Sequence, residues 1–188
     1  MRIIAGQWRG RRIGAPAGET TRPTSDRARE GLFSMLASRL GSFEGLHAAD
    51  LFAGTGALGL EALSRGAAFC TFVEKDRKAL DILKANIAHL GAAESSEIRA
   101  QGVEHAPAPA RPCDIVFIDP PYGAGLASAA LERADSWLAP GGWISLELHR
   151  EAPGLPAGLE IEAERRFGKA RVILLRKAVA AGKSAFGE

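Results

Sequence analysis

The chain has 188 residues, 46% of them hydrophobic and 24% charged, with a formal net charge of +2. That length predicts one ordinary domain, large enough to bury a sizeable core. There is no apolar run long enough to span a membrane, and the N-terminus lacks the apolar stretch of a signal peptide.

Cys70 and Cys113 form no spaced ligand set and read as reduced core thiols of a cytoplasmic protein. His47, His89, His105 and His149 are scattered without metal spacing, so no metal is expected. The charge is unevenly placed. Residues 1–30 hold seven arginines (Arg2, Arg9, Arg11, Arg12, Arg22, Arg27 and Arg29) against three acids, residues 165–188 are also strongly basic, and the middle is acidic. Basic ends on an acidic body fit a nucleic-acid binder, and arginine offers a planar fork for phosphates.

In chain order, residues 2–4 and 11–13 predict a small hairpin, with a turn over 6–10. Residues 14–23 read as a loop. A helix capped by Thr24 or Ser25 carries Leu32, Phe33, Leu36 and Leu40 on one face and stops at Gly41. From residue 46 strands and helices alternate. Strands are predicted over 46–52, 69–74, 97–101, 114–118, 143–148, 159–167 and 171–176. Helices are predicted over 57–65, 76–90 and 124–138, the last stopped by Pro140-Gly141-Gly142. The prolines within 104–112 leave no room for a full helix there. This alternation calls for an α/β fold: a mostly parallel seven-stranded sheet, helices on both faces, and an antiparallel hairpin at one edge, turning at Gly168-Lys169. Three parts follow: an N-terminal extension (1–42), a catalytic domain (43–177) and a loose tail (178–188). Trp137 and Trp143 fall on core faces, whereas Trp8 either covers the sheet or meets a ligand. Nothing demands a dimer.

Two stretches carry chemistry. Asp50-Leu51-Phe52-Ala53-Gly54-Thr55-Gly56-Ala57-Leu58-Gly59 leaves a strand and opens a helix with G-x-G-x-x-G spacing. Glu74 ends the next strand, where a carboxylate either accepts ribose hydroxyls or caps a helix. A dinucleotide and S-adenosylmethionine both suit this pattern. Asp50, Glu74 and Asp119 make an acidic mouth, which favours the cationic sulfonium cofactor over a pyrophosphate. Asp119-Pro120-Pro121-Tyr122 closes the strand before it. Its carboxylate and the bare Pro120 carbonyl can accept the two N–H donors of an exocyclic amine, while Tyr122 stacks on the ring. Guanine and adenine amines fit equally well.

These motifs resemble the Rossmann-like methyltransferases that modify exocyclic amines. The N-terminal Arg2-Ile3-Ile4-Ala5-Gly6-Gln7-Trp8-Arg9-Gly10-Arg11 and Arg22-Pro23-Thr24-Ser25-Asp26-Arg27-Ala28-Arg29-Glu30 narrow the resemblance. It extends over residues 1–177, to the RsmD family of bacterial 16S ribosomal RNA guanine-N2 methyltransferases. The resemblance implies a Rossmann-like fold and S-adenosylmethionine as cofactor, with 16S rRNA or the small ribosomal subunit as partner. It implies that Asp50, Phe52, Gly54, Thr55, Gly56, Gly59, Glu74, Lys75 and Gln101 hold the cofactor. It places Asp119, Pro120 and Tyr122 at the reacting amine, and Pro121, Arg2, Trp8, Arg9, Arg11, Arg12, Arg22 and Arg27 against RNA. Gln101 or the Val103 backbone stands where the family has a polar contact to adenine. Rival readings are an adenine-N6 methyltransferase, a nicotinamide oxidoreductase and a non-catalytic RNA-binding module.

Overall fold

The computed structural model describes residues 1–15, 23–121, 125–148, 153–168 and 170–179, with the backbone alone for 23–25. Its elements are α1 (Pro23–Leu40), β1 (His47–Leu51), α2 (Ala57–Ser64), β2 (Phe69–Glu74), α3 (Arg77–Leu90), β3 (Ser96–Ala100), β4 (Cys113–Ile118), α4 (Leu126–Trp137), β5 (Leu138–Leu148), β6 (Leu159–Phe167) and β7 (Ala170–Lys177). The strands form one seven-stranded sheet in the order β3-β2-β1-β4-β5-β7-β6. The first five are parallel, and β7 runs antiparallel to both β5 and β6. The expected α/β architecture and its edge hairpin are therefore present.

The central strands β1 and β4 are buried along most of their length because helices cover both sides of the sheet. On one face Leu60, Phe72, Leu83 and Phe117 pack with Ile3 and Ile13 of the N-terminal arm and with Leu32, Phe33 and Leu36 of α1. On the other face Val73, Val116, Ile118, Ile144 and Leu146 pack with Leu131 and Trp137 of α4. α3 shows how sequence sets an element's ends. Asp76 caps it by accepting from the Ala79 N–H at 2.9 Å, Leu80, Leu83, Ile87 and Leu90 face inward, and Gly91 ends it in the left-handed region (φ 71°).

Three expectations change. Pro140-Gly141-Gly142 does not separate helix from strand. β5 begins at Leu138, directly after α4, and the register with β4 shifts between the Cys113–Leu138 and Ile115–Trp143 pairs. A bulge absorbs the proline's missing N–H, and Gly141 takes φ 76° there. The N-terminal hairpin is short: around the Arg2–Arg12 bridge the Ile3 N–H donates to the Arg11 carbonyl and the Ile13 N–H to the Met1 carbonyl, while the Ile4 and Ala5 N–H groups turn to Glu61 of α2. A 3₁₀ turn over Val103–His105 follows β3 where no element was assigned. Lys169 and residues 180–188 lie outside the described residues.

The β6–β7 hairpin reaches back to the first helix. A Cβ on Gly31 would lie 2.3 Å from Phe167 Cε1, so the aromatic ring rests on the bare backbone of α1. The chain runs from β1 outward to β2 and β3, then returns to β4 on the other side of β1. That reversal opens a crevice above the C-terminal ends of β1 and β4, where open α/β sheets bind ligands. Among the described residues no helix is long and apolar enough to cross a membrane.

Candidate active site

The glycine loop between β1 and α2 is held from beneath. Phe52 adopts φ 64°, a conformation a bulky residue occupies only when its surroundings impose it. The Ala53 N–H donates to the Val73 carbonyl at 3.0 Å, and the Gly54 N–H donates to Glu74 Oε2 at 2.8 Å. Gly59 lets α2 lie directly on β2: a Cβ there would sit 2.3 Å from Phe72 and 2.6 Å from Cys70 Sγ. The Gly59 N–H donates to Asp50 Oδ2 at 2.9 Å. Asp50 is buried under the loop. Burial pushes its pKa up to about 8, the negative charges of Asp119 and Glu74 add to the rise, and the Gly59 hydrogen bond opposes it.

Above the loop lies a cavity of about 560 Å³. Its wall takes Phe52 and Gly54 from the loop, Glu74 and Lys75 from the end of β2, Gln101–Glu104 from the turn after β3, and Asp119–Pro121 from the end of β4. The structure thus gathers four separated sequence sites at one crevice. Glu74 does more than was expected of it. Its Oε2 accepts from Gly54, and its Oε1 accepts from the Lys75 and Asp76 N–H groups, each at 2.8 Å. It therefore braces the turn into α3 while facing the cavity. Gln101 Nε2 donates to the His105 carbonyl at 3.2 Å. Asp50, Thr55, Gly56 and Gly59 lie behind this wall rather than on it; they shape the loop. Tyr122 lies outside the described residues, so the corner is described as far as Pro121.

Asp119 also lines a second chamber, of about 110 Å³, on its other side. Ala28, Arg29 and Leu32 of α1, Ala57 and Leu58 of α2, Val172 of β7 and Glu147 of β5 complete it. Burial pushes the Glu147 carboxyl above its ordinary pKa. Arg29, only 5% exposed, donates to Asp26 Oδ1 at 3.0 Å and to the Arg2 carbonyl, and burial pulls its pKa down. Sequence reasoning passed over Glu147. The signal was a lone acid at the C-terminal end of the apolar run Trp143-Ile144-Ser145-Leu146-Glu147-Leu148.

Buried side chains dock the N-terminal arm onto α2. Glu61, fully buried, accepts from the Ile4 N–H (2.8 Å), the Ala5 N–H (3.0 Å) and Arg65 Nε (2.8 Å). The Trp8 N–H donates to Ser64 Oγ at 3.0 Å, and the half-buried Trp8 ring packs on the core. Asn86 joins arm to loop: its Oδ1 accepts from the Gly14 N–H at 2.6 Å, and its Nδ2 donates to the Thr55 carbonyl at 2.9 Å. Arg2, Arg9, Arg11, Arg12 and Arg27 are all exposed on this arm and on α1. Arg22 lies outside the described residues.

Comparisons with known proteins agree with this geometry. A family model described as conserved hypothetical protein 95 matches residues 1–176. The chain is 38% identical over 173 residues to ribosomal RNA small subunit methyltransferase D of Escherichia coli (strain K12), covering 90% of this chain and 86% of that one. It is 37% identical over 159 residues to the protein of the same name from Haemophilus influenzae, covering 81% of each. The solved structure of yhhF from Escherichia coli superimposes with a TM-score of 0.83 at 34% identity, covering 95% of this chain and 98% of that one.

Proposed function

The chain belongs to the conserved hypothetical protein 95 family, the RsmD family of methyltransferases, and on that premise we propose that it methylates the exocyclic N2 amine of one guanine in 16S rRNA, with S-adenosylmethionine as donor. The observation that carries the reading is the position of Asp119-Pro120-Pro121 at the end of β4. Asp119 is shared by a cofactor-sized cavity and a second chamber, so a methyl donor on one side faces an amine on the other.

The residues fit this cofactor. A cavity of about 560 Å³ is within the range of small-molecule sites. Its acidic rim suits a sulfonium and an ammonium better than a pyrophosphate. Glu74 spends three of its roughly four acceptor positions on backbone N–H groups, so one stays open on Oε2 for a ribose hydroxyl. When bound, S-adenosylmethionine supplies an electrophilic methyl group and leaves as S-adenosylhomocysteine.

The protein's own part is to bind and orient. The Asp119 carboxylate and the Pro120 carbonyl accept the N–H groups of the amine and turn its lone pair toward the donor. Holding two reactants at near-attack distance contributes about 7–11 kcal/mol. During methyl transfer positive charge would grow on the amine nitrogen, and Asp119 would offset it until the surplus proton passes to solvent. Transfer is direct. Both thiols are buried, and burial pushes Cys113 to about 12 and Cys70 well above its ordinary value, so neither serves as a nucleophile. Tyr122 stacks on the flipped base, an interaction worth about 1–3 kcal/mol. Arg2, Arg9, Arg11, Arg12, Arg22 and Arg27 grip flanking phosphates, with Trp8 and Pro121 beside them, so affinity falls as salt rises.

The test is mass mapping of modified nucleosides in 16S rRNA from cells with and without the gene. One N2-methylguanosine should disappear. Loss of an N6-methyladenosine instead would replace guanine by adenine as the substrate.

A further inference from the structure

The second chamber holds another carboxylate, Glu147, beside Asp119. β4 and β5 pair in parallel with Ile118 opposite Leu146. Asp119 follows directly on β4 and Glu147 is the next residue along β5, so the two stand at the same level and on the same face. Adjacent strands lie about 4.8 Å apart, which sets two carboxylates side by side. Both line the chamber of about 110 Å³. Its remaining wall is mostly apolar, from Ala28, Leu32, Leu58 and Val172, with Arg29 adding one buried positive charge. That volume admits the polar edge of a flat ring rather than a whole nucleotide.

Purines differ at that edge. Guanine presents two adjacent donors, the N2 amine and N1–H. Adenine presents an amine beside an unprotonated N1, which is an acceptor. Two neighbouring carboxylates match guanine, since each accepts one donor. Against adenine, the second carboxylate would face a lone pair. The corner at Asp119 and Pro120 reads only the amine and accepts either base, so discrimination needs another group, and Glu147 is the group beside it.

We propose that Glu147 is a specificity-determining residue, whose carboxylate accepts the N1–H of the guanine whose N2 amine is held at Asp119. This rests on the guanine reading above and deepens it. Leaving a buried acceptor opposed by a lone pair is strongly discriminating, as in sites that reject analogues lacking a hydrogen-bonding group.

The experiment uses the full-length protein and synthetic RNAs carrying the mapped target, with guanine, adenine or 2-aminopurine at that position. 2-Aminopurine keeps the exocyclic amine but lacks N1–H and O6. The wild type should methylate guanine with a kcat/KM about 10–100-fold above that for 2-aminopurine. In Glu147→Gln the new amide can donate to the unprotonated N1, so the preference should collapse to within about threefold or invert. Because only the N1 partner changes, this separates N1 from O6. Glu147→Asp should keep the guanine preference at reduced rate, and S-adenosylmethionine affinity should be unchanged in both variants. An unchanged guanine preference in Glu147→Gln overturns the assignment. So does a wild type indifferent to the two bases, a measurement that needs no variant to fold. Methyl transfer to adenine but not to guanine would instead sink the guanine reading itself, and this inference with it.

Discussion

The glycine loop and the N-terminal arm meet on α2, and the same device fastens both: main-chain N–H groups donate to buried side-chain oxygens. They differ in reach. Asp50 holds an amide nine residues away and Glu74 one twenty residues away, all within the β1–α2–β2 unit. Glu61 holds amides 57 and 56 residues away, and Asn86 holds one 72 residues away. The loop can take shape as soon as its own β-α-β unit forms. The arm is seated only by tertiary structure. The cofactor and RNA contacts proposed above for loop and arm would therefore stand on supports of different range, and variants should separate them.

Glu61→Ala should have the largest effect. It strands two arm amides, leaves Arg65 without its carboxylate and takes the nearby Glu61 charge from the buried Arg29, which keeps Asp26; breaking such a buried pair costs about 3–5 kcal/mol. The melting temperature should fall, and RNA affinity should fall more than S-adenosylmethionine affinity, measured by calorimetry. Equal losses would erase the contrast between the two regions.

Asp50 provides a pH handle on the loop alone. Burial lifts its folded pKa to about 8, well above the ordinary aspartate value of about 3.9. Between pH 4 and 8 the native state keeps a proton that the unfolded chain has released, so stability falls as pH rises through that window and levels off above it. The slope is at most about 1.4 kcal/mol per pH unit. Asp50→Asn can still accept from the Gly59 N–H but cannot ionise. Urea melts between pH 5 and 7 should show a flatter profile and a gain over the wild type that grows with pH. A variant with the wild-type slope would place the titrating group elsewhere.

Asn86 bridges the two regions, and its effect should be the smallest and the most telling. Asn86→Ala should weaken both ligands modestly. In a double-mutant cycle with the Arg9, Arg11 and Arg12 triple alanine variant, the coupling between RNA and cofactor binding should shrink by about 1 kcal/mol. No change in coupling would leave arm and loop as independent attachments.

The same difference in range explains what could be read from the chain. The glycine loop, the end of β2 and the corner at Asp119 are contiguous motifs, and β2 was bounded at Phe69 and Glu74, as found. Asp50 was read as part of the mouth, yet it lies beneath the loop, because its direction is set by α2 closing over it. Glu61 and Asn86 carried no local signal: each is one polar residue in a helical run, and its partners lie on other elements. Pro140-Gly141-Gly142 misled because a strand inside a sheet can absorb a proline at a bulge, and only the partner strand shows that this has happened.

Phe167 on the bare backbone of Gly31 gives the molecule an order of assembly. During translation α1 is made well before the β6–β7 hairpin, yet part of its seat belongs to that hairpin. The second chamber draws walls from that first helix and from β7 alike. A nascent chain that has not yet reached residue 167 lacks both Phe167 and Val172, so the second chamber can be walled only after the β6–β7 hairpin has formed.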